Sequence, residues 1–234
     1  MLTSITVYFV HAAVVVFGAL TALWALSVAV KDASLVDIFW GFGFLLVASV
    51  CLYLVPVKTP YLILLAALPI IWGLRLTLYL GKRNLGHGED KRYVEMRRRA
   101  KKNKGIREMP WRLRSLFTIY FGQGLLIMIV SAPVWVAMAT GYIYDIPYDT
   151  PLPVTQLEDK SLIISGGNET IIQISILAIL GAILWLIGFF FESIGDAQLA
   201  AFLKRNKDYD GPADEKPVMD QGLWKYTRHP NYFG

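Results

Sequence analysis

The sequence predicts an all-α fold, a polytopic bundle of transmembrane helices, and two observations support this prediction. Hydrophobic residues make up 55% of the 234 residues and the mean hydropathy is +0.46, whereas ordinary globular chains contain roughly 45–50% apolar residues with glycine included. The charged residues, 18% of the chain, gather mostly in two clusters. They leave continuous apolar runs of roughly twenty residues, the length of a membrane-spanning helix and unlike the alternating strands of a β-barrel.

Five segments are long enough to cross the roughly 30 Å hydrocarbon core as helices. The first is too long, and its flank too poor in basic residues, for a cleavable signal peptide. We expect the last to continue as an amphipathic helix to Leu203, and we expect residues 1–234 to form one integral membrane domain. The predicted spans are Ile5–Val30, Ala33–Val55, Tyr61–Gly81, Ser115–Gly141 and Ile171–Phe191.

The charges between the spans predict which side each loop faces. Lys82–Arg114 contains thirteen Lys and Arg against four acids, and Lys204–Gly234 contains six more Lys and Arg. Tyr142–Thr170 has five acids and one lysine, and its prolines and paired glycines predict an irregular connection. Because basic loops remain in the cytoplasm, we expect both basic segments inside and the N-terminus outside.

The excess of Lys and Arg in the cytoplasmic loops accounts for the net charge of +5. The positive charge therefore does not indicate a nucleic-acid partner, and we predict none. The arginines of the first basic loop leave a second interpretation open, in which they hold an anionic ligand or lipid head groups. The single cysteine, Cys51, lies inside an apolar run and excludes a disulfide framework or a cysteine-based metal site, and we predict no metal.

Ionisable side chains inside the spans are candidate functional residues because each is costly to insert into a membrane. Asp37 lies near the start of the second span, beside Gly41 and Gly43, which allow a helix or a ligand to approach. A simple acid at the membrane interface remains the alternative. In the third span, Trp72, Arg75 and Tyr79 recur on one helix face. They indicate a polar cavity open to the cytoplasm, or an arginine that reaches the interface.

The fifth span ends with Glu192 and Asp196, four residues apart on one face, where the helix dipole opposes negative charge. Cations, ribose hydroxyls or a nicotinamide amide would compensate them, unless they form an exposed charged helix end. The tail 222–234 is dense in polar and aromatic residues. Its arginine and histidine can bind phosphate and its rings can stack on a planar group, so the tail indicates an anionic, planar-ringed ligand.

Four strings of residues carry a family resemblance: Arg228–Gly234, Phe191–Leu199, Val36–Gly41 and Glu89–Tyr93. Together they resemble the bacterial DUF1295 branch of the steroid 5-alpha-reductase family. The resemblance implies a seven-helix reductase of a bacterial inner membrane that binds NADPH from the cytoplasm. It would reduce the carbon–carbon double bond of an α,β-unsaturated carbonyl. The substrate would be a steroid- or isoprenoid-like lipid that enters from the bilayer. Two further helices would follow Gly234, so we expect the chain to be C-terminally incomplete.

The resemblance also implies roles for individual residues. Asp37 would polarise the substrate carbonyl as a neutral acid, and Tyr79 matches a family tyrosine. Trp72 stands where the steroid enzymes have their catalytic tyrosine, and Glu192 stands where they have asparagine. The cofactor-binding residues would be Arg83, Glu192, Asp196, Arg228, His229, Asn231 and Tyr232.

Two other functions remain open at this stage. A membrane methyltransferase of the isoprenylcysteine type, using S-adenosylmethionine, would use the basic loop and the tail string equally well. A non-enzymatic lipid-binding membrane protein would instead leave the acidic and tail clusters apart in space.

Overall fold

The computed structural model describes residues 2–56, 58–102, 110–141, 161–166, 170–212, 215 and 217–232. They fall into two compact units, 1–156 and 157–234, and each is described by itself. The single membrane domain remains a prediction. The first unit contains α1 (Leu2–Val30), α2 (Leu35–Leu54), α3 (Pro60–Asn84), α4 (Lys91–Lys102), α5 (Trp111–Ser115), a π-helical segment (Leu116–Tyr120), α6 (Phe121–Val130) and α7 (Ala132–Gly141).

The prediction of a membrane-spanning helical protein is confirmed. Among the described residues, five helices are long and apolar enough to cross a membrane, and the chain is an integral membrane protein. Their bounds are Ser4–Val30, Leu35–Leu54, Pro60–Asn84, Trp111–Val130 and Ile176–Arg205. The basic loop predicted at 82–114 is partly helical, because α4 occupies its centre.

The turn between α1 and α2 is short and internally bonded. Lys31 ends α1 with a φ of 62°, the left-handed conformation that stops a helix. The Asp32 carboxylate then accepts hydrogen bonds from the backbone N–H of Ser34 at 2.9 Å and from its hydroxyl. This turn fixes the backbone of Ala33 and the start of α2, where Asp37 lies.

Helices α2 and α3 pack through a pair of glycines. A Cβ atom added to Gly41 would lie 2.5 Å from the carbonyl oxygen of Gly73, and one added to Gly73 would collide with the carbonyl of Gly41. A Cβ atom on Gly43 would meet Ile127 of α6 at 2.5 Å. The predicted close approach at both glycines is therefore confirmed, and in each case the neighbour is a helix, as is common in membranes.

The fourth span is not a regular helix. Leu116–Tyr120 is π-helical. The α-helix is then interrupted at Ser131, two residues before Pro133. Proline has no N–H and clashes with the preceding turn, so α6 ends there and α7 begins. The indole Nε1 of Trp135 donates to the Met128 carbonyl oxygen at 3.1 Å, which supplies this carbonyl with a donor at the break.

The core of the first unit lies among its spanning helices. Its fully buried apolar side chains come from α1, α2, α3, α6 and α7, and they include Val16, Leu20, Val47, Ala66, Ile127 and Met138. Burial of these faces leaves the opposite faces apolar and exposed, as expected of helices surrounded by lipid.

The second unit begins with a hairpin. Strands β1 (Ser161–Gly166) and β2 (Thr170–Ser175) are antiparallel, with Ser161 opposite Ser175. The predicted irregular connection is therefore wrong for these residues, whereas 142–160 and 167–169 lie outside the described residues. Because Thr170–Ser175 is a strand, α8 (Ile176–Arg205) begins five residues after the predicted start of the fifth span. It was predicted to continue to Leu203 and ends two residues later, at Arg205. The tail adds two short 3₁₀ turns, Gly222–Lys225 and Pro230–Tyr232.

The glycine contact predicts the effect of a single methyl group. Gly41→Ala should lower the free energy of unfolding by about 1–3 kcal/mol, the usual cost of overpacking. Gly18→Ala is the matched control, because a Cβ atom there meets nothing within 4 Å. Thermal unfolding in detergent should give a lower Tm for Gly41→Ala and an unchanged or higher Tm for Gly18→Ala. Equal Tm values would show that α2 and α3 do not depend on this contact.

Candidate functional site

Asp37 lies at the centre of a polar cluster in the first unit. Its Oδ2 accepts a hydrogen bond from the Arg92 guanidinium at 2.8 Å, and its Oδ1 accepts one from the Tyr93 hydroxyl at 2.5 Å. Arg92 also donates from Nε to Asp90 at 3.1 Å. The Glu89–Tyr93 string, singled out in the sequence only by its family resemblance, thus connects α4 with the start of α2.

Glu89, in the same string, joins three elements. Its carboxylate accepts hydrogen bonds from the backbone N–H of Ala33 at 2.9 Å and from Arg97 at 2.5 and 2.8 Å. The Arg97 guanidinium lies 5.9 Å from the ring centroid of Trp111 at the start of α5. The Glu89 side chain is 9% exposed and the Arg97 side chain 30%, so the carboxylate of this ion pair is largely shielded from water. One carboxylate therefore holds α4 between the α1–α2 turn and α5.

The phenol of Tyr93 keeps its proton. Burial, and then its hydrogen bond to Asp37, raise the pKa of Tyr93 far above its usual value. The hydrogen bonds from Arg92 lower the pKa of Asp90. The Tyr93 hydroxyl is thus protonated near neutral pH, and it donates its hydrogen bond to Asp37.

The expectation that Asp37 is a neutral acid stays a prediction. Both of its oxygens accept hydrogen bonds, one from a guanidinium and one from a phenol. The side chain is thus already bonded to two residues of α4. The proposed polarisation of a substrate carbonyl by Asp37 does not follow from this arrangement, in which the carboxylate holds α4.

The polar face predicted on α3 is present. The guanidinium carbons of Arg75 and Arg83 lie 5.8 and 5.7 Å from the centroid of the Tyr79 ring. One helical turn before Arg75, Trp72 packs edge-on against Phe44 of α2, with the ring centroids 5.3 Å apart. The candidate residues Trp72, Tyr79 and Arg83 therefore follow one another along a single helix, with two cations around the phenol.

A cavity of about 560 Å³ lies between α4 and the fourth span. Three arginines and Gln123 contribute the strongest polar groups, and Met96, Trp111, Ile119 and Leu126 form much of its apolar wall. The shape of this cavity could not be predicted from the sequence, because its walls come from segments that meet only in the folded chain.

The second unit brings the predicted acidic residues and the tail together. Glu192 and Asp196 are 6% and 5% exposed, so the alternative of an exposed charged helix end is wrong. Asn231 donates from Nδ2 to Oδ1 of Asp196 at 3.2 Å. Two candidate cofactor residues, 35 positions apart, therefore lie in direct contact.

Three residues that sequence reasoning left without a role attach the tail to α8. The Trp224 indole donates to the Gly195 carbonyl oxygen at 3.0 Å, and Gln198 accepts from the backbone N–H of Leu223 at 3.0 Å. A Cβ atom on Gly195 would lie 3.1 Å from the backbone nitrogen of Asn231. Gly195 and Gln198 belong to the string Phe191–Leu199, whose family resemblance was the one feature of the sequence that could have pointed to them.

The exposed part of the tail carries the remaining candidates. Arg228, His229 and Tyr232 are exposed, and the rings of His229 and Tyr232 stack with centroids 5.1 Å apart. Residues 233 and 234 lie outside the described residues. Tyr79 and Arg83 belong to the first unit and the acidic pair belongs to the second, so their convergence on one cofactor remains a prediction.

Comparison with protein families gives one match. A family model described as a protein of unknown function, DUF1295, matches residues 23–146 and 159–234. The chain belongs to the DUF1295 family. The match covers both units, including the Asp37 cluster and the contact between Asp196 and Asn231. Comparisons with curated proteins and with solved structures gave no match.

The contacts of Glu89 predict that its removal detaches α4 from the rest of the first unit. Glu89→Ala would leave Arg97 and the Ala33 N–H without their acceptor, so α4 should undock and trypsin should cut within 91–102 about tenfold faster or more. Glu95→Ala is the control, because its ion pairs with Arg98 and Arg99 are exposed. Mass spectrometry of timed digests measures both rates. Equal rates in the two variants would contradict the role of Glu89.

Proposed function

We propose that the protein is a membrane-embedded, NADPH-dependent reductase of the carbon–carbon double bond in an α,β-unsaturated carbonyl. The relation of DUF1295 to the steroid 5-alpha-reductases is part of this proposal and rests on the motif resemblance. The observation that carries it is Asn231, which joins the tail to the buried carboxylate of Asp196. The substrate would be a hydrophobic, steroid- or isoprenoid-like enone that enters from the lipid.

The residues around Asn231 fit the cofactor. Its Nδ2 is bound to Asp196, whereas its Oδ1 is buried and has no hydrogen-bond partner among the described residues. A buried acceptor without a partner costs roughly 1–3 kcal/mol, so a ligand donor such as a carboxamide N–H or a ribose hydroxyl would stabilise it. The buried carboxylate of Glu192 adds an acceptor for hydroxyl groups, and exposed Arg228 and His229 are suited to phosphate.

NADPH, when bound, supplies a hydride. The chain must then stabilise the negative charge that develops on the substrate oxygen. We assign this task to the Tyr79 hydroxyl rather than to Asp37, because Asp37 accepts hydrogen bonds from Arg92 and Tyr93. The guanidinium groups of Arg75 and Arg83 near the Tyr79 ring favour negative charge at this place.

Removal of the Asn231 side chain should weaken cofactor binding. In the full-length protein in detergent, Asn231→Ala should raise the Kd for NADPH about tenfold, the cost of roughly one good hydrogen bond. Asn206→Ala is the matched control, because Asn206 lies past the end of α8 and its side-chain amide donates to the Phe202 carbonyl oxygen. Nicotinamide fluorescence measures both. Binding of S-adenosylmethionine but not NADPH by the wild type would contradict the proposal and favour the methyltransferase.

Loss of the Tyr79 hydroxyl should affect turnover rather than cofactor binding. Tyr79→Phe should lower kcat roughly 10²–10³-fold, as for loss of one oxyanion donor, with the Kd for NADPH unchanged. Tyr53→Phe is the control, because Tyr53 is 83% exposed on α2. Steady-state reduction of an accepted enone measures both variants. Wild-type kcat in Tyr79→Phe would remove Tyr79 from the mechanism.

A further inference from the structure

The cavity between α4 and the fourth span has a cationic mouth. Among the residues that the structure describes, Arg92, Arg99 and Arg114 line it, and no acidic residue does. Arg92 pairs with Asp37 and Asp90, and Arg99 pairs with Glu95, all outside the lining.

Arg114 differs from the other two arginines. Among the described residues its guanidinium has no acidic partner. It lies at the end of α5, where the span begins. Arg114 therefore adds a positive charge at the mouth, where it would attract an anion.

The cavity becomes apolar along the span. Gly122 and Leu126 follow Arg114 by eight and twelve residues, so they lie roughly 12 and 18 Å further along the axis at the rise of a helix. Both line the cavity together with Ile119. The cavity therefore extends from the guanidinium groups to a depth at which the surroundings of the span are hydrocarbon.

Two local features make room for a ligand along this wall. Thr118 and Ile119 belong to the π-helical segment Leu116–Tyr120, and such segments occur often at functional sites. Gly122 follows, and a Cβ atom added there would meet nothing within 4 Å. The wall is thus open where an unbranched hydrocarbon chain would lie.

We propose that this cavity binds an anionic phospholipid. Its phosphate would contact the guanidinium groups of Arg92, Arg99 and Arg114, and an acyl chain would lie against Ile119, Gly122 and Leu126. A dinucleotide fits less well, because it carries polar groups along its whole length, and Gln123 is the one strongly polar group at the deep end among the described residues. This proposal does not depend on the reductase activity.

Retention of lipid by the full-length protein tests the proposal. The protein is purified in detergent with equal amounts of phosphatidylglycerol and phosphatidylcholine, and native mass spectrometry counts the bound lipids. Phosphatidylglycerol should remain bound to the wild type. Gly122→Leu, which fills the apolar wall, and Arg114→Gln, which removes a cation from the mouth, should each lower its retention about tenfold. Retention of phosphatidylcholine should not change.

Two matched variants control for general effects. Gly18→Leu adds the same side chain where a Cβ atom also meets open space, and Arg112→Gln removes a charge from the same helix outside the cavity. Both should retain phosphatidylglycerol as the wild type does. Equal retention in all four variants would overturn the proposal. Displacement of the lipid by millimolar inorganic phosphate or by NADPH would also overturn it, because the site would then recognise a soluble phosphate.

Discussion

The carboxylate of Glu89 is the group on which the arrangement of the first unit depends. It accepts from the backbone of Ala33 in the α1–α2 turn and from Arg97 on α4, and Arg97 in turn lies over Trp111 of α5. A shielded carboxylate with a guanidinium partner is costly to leave half-paired, so these elements are held together as a set. The Asp37 cluster and the cavity both lie on surfaces of α4 that this contact positions.

The apolar composition was sufficient to predict the five spans, because the hydrocarbon core fixes the length of a helix that crosses it. Gly41, Glu192 and Asp196 could also be singled out from the sequence. Small residues inside apolar runs allow helices to pack closely, and ionisable residues there are costly unless they have partners. The start of the fifth span was predicted too early, because the isoleucines of β2, Ile171, Ile172 and Ile174, directly precede the apolar run of α8.

The partners of Asp37 could not be predicted. Arg92 and Tyr93 follow it by 55 and 56 residues, and their contact depends on how α4 docks, which helical periodicity does not specify. The π-helical segment has an ordinary apolar sequence and leaves no pattern. In the second unit, Asn231 could be paired with Asp196 only through family resemblance, because the tail reaches α8 by a non-local contact.

Hydrogen–deuterium exchange of the full-length protein, with and without saturating NADPH, tests the central claim that the contact between α8 and the tail holds the cofactor. The account predicts slower exchange in 192–198 and 222–232 when NADPH is present, because a bound ligand opposes local opening of the segments it contacts. Unchanged exchange in both segments with NADPH, together with slower exchange on addition of S-adenosylmethionine, would contradict it.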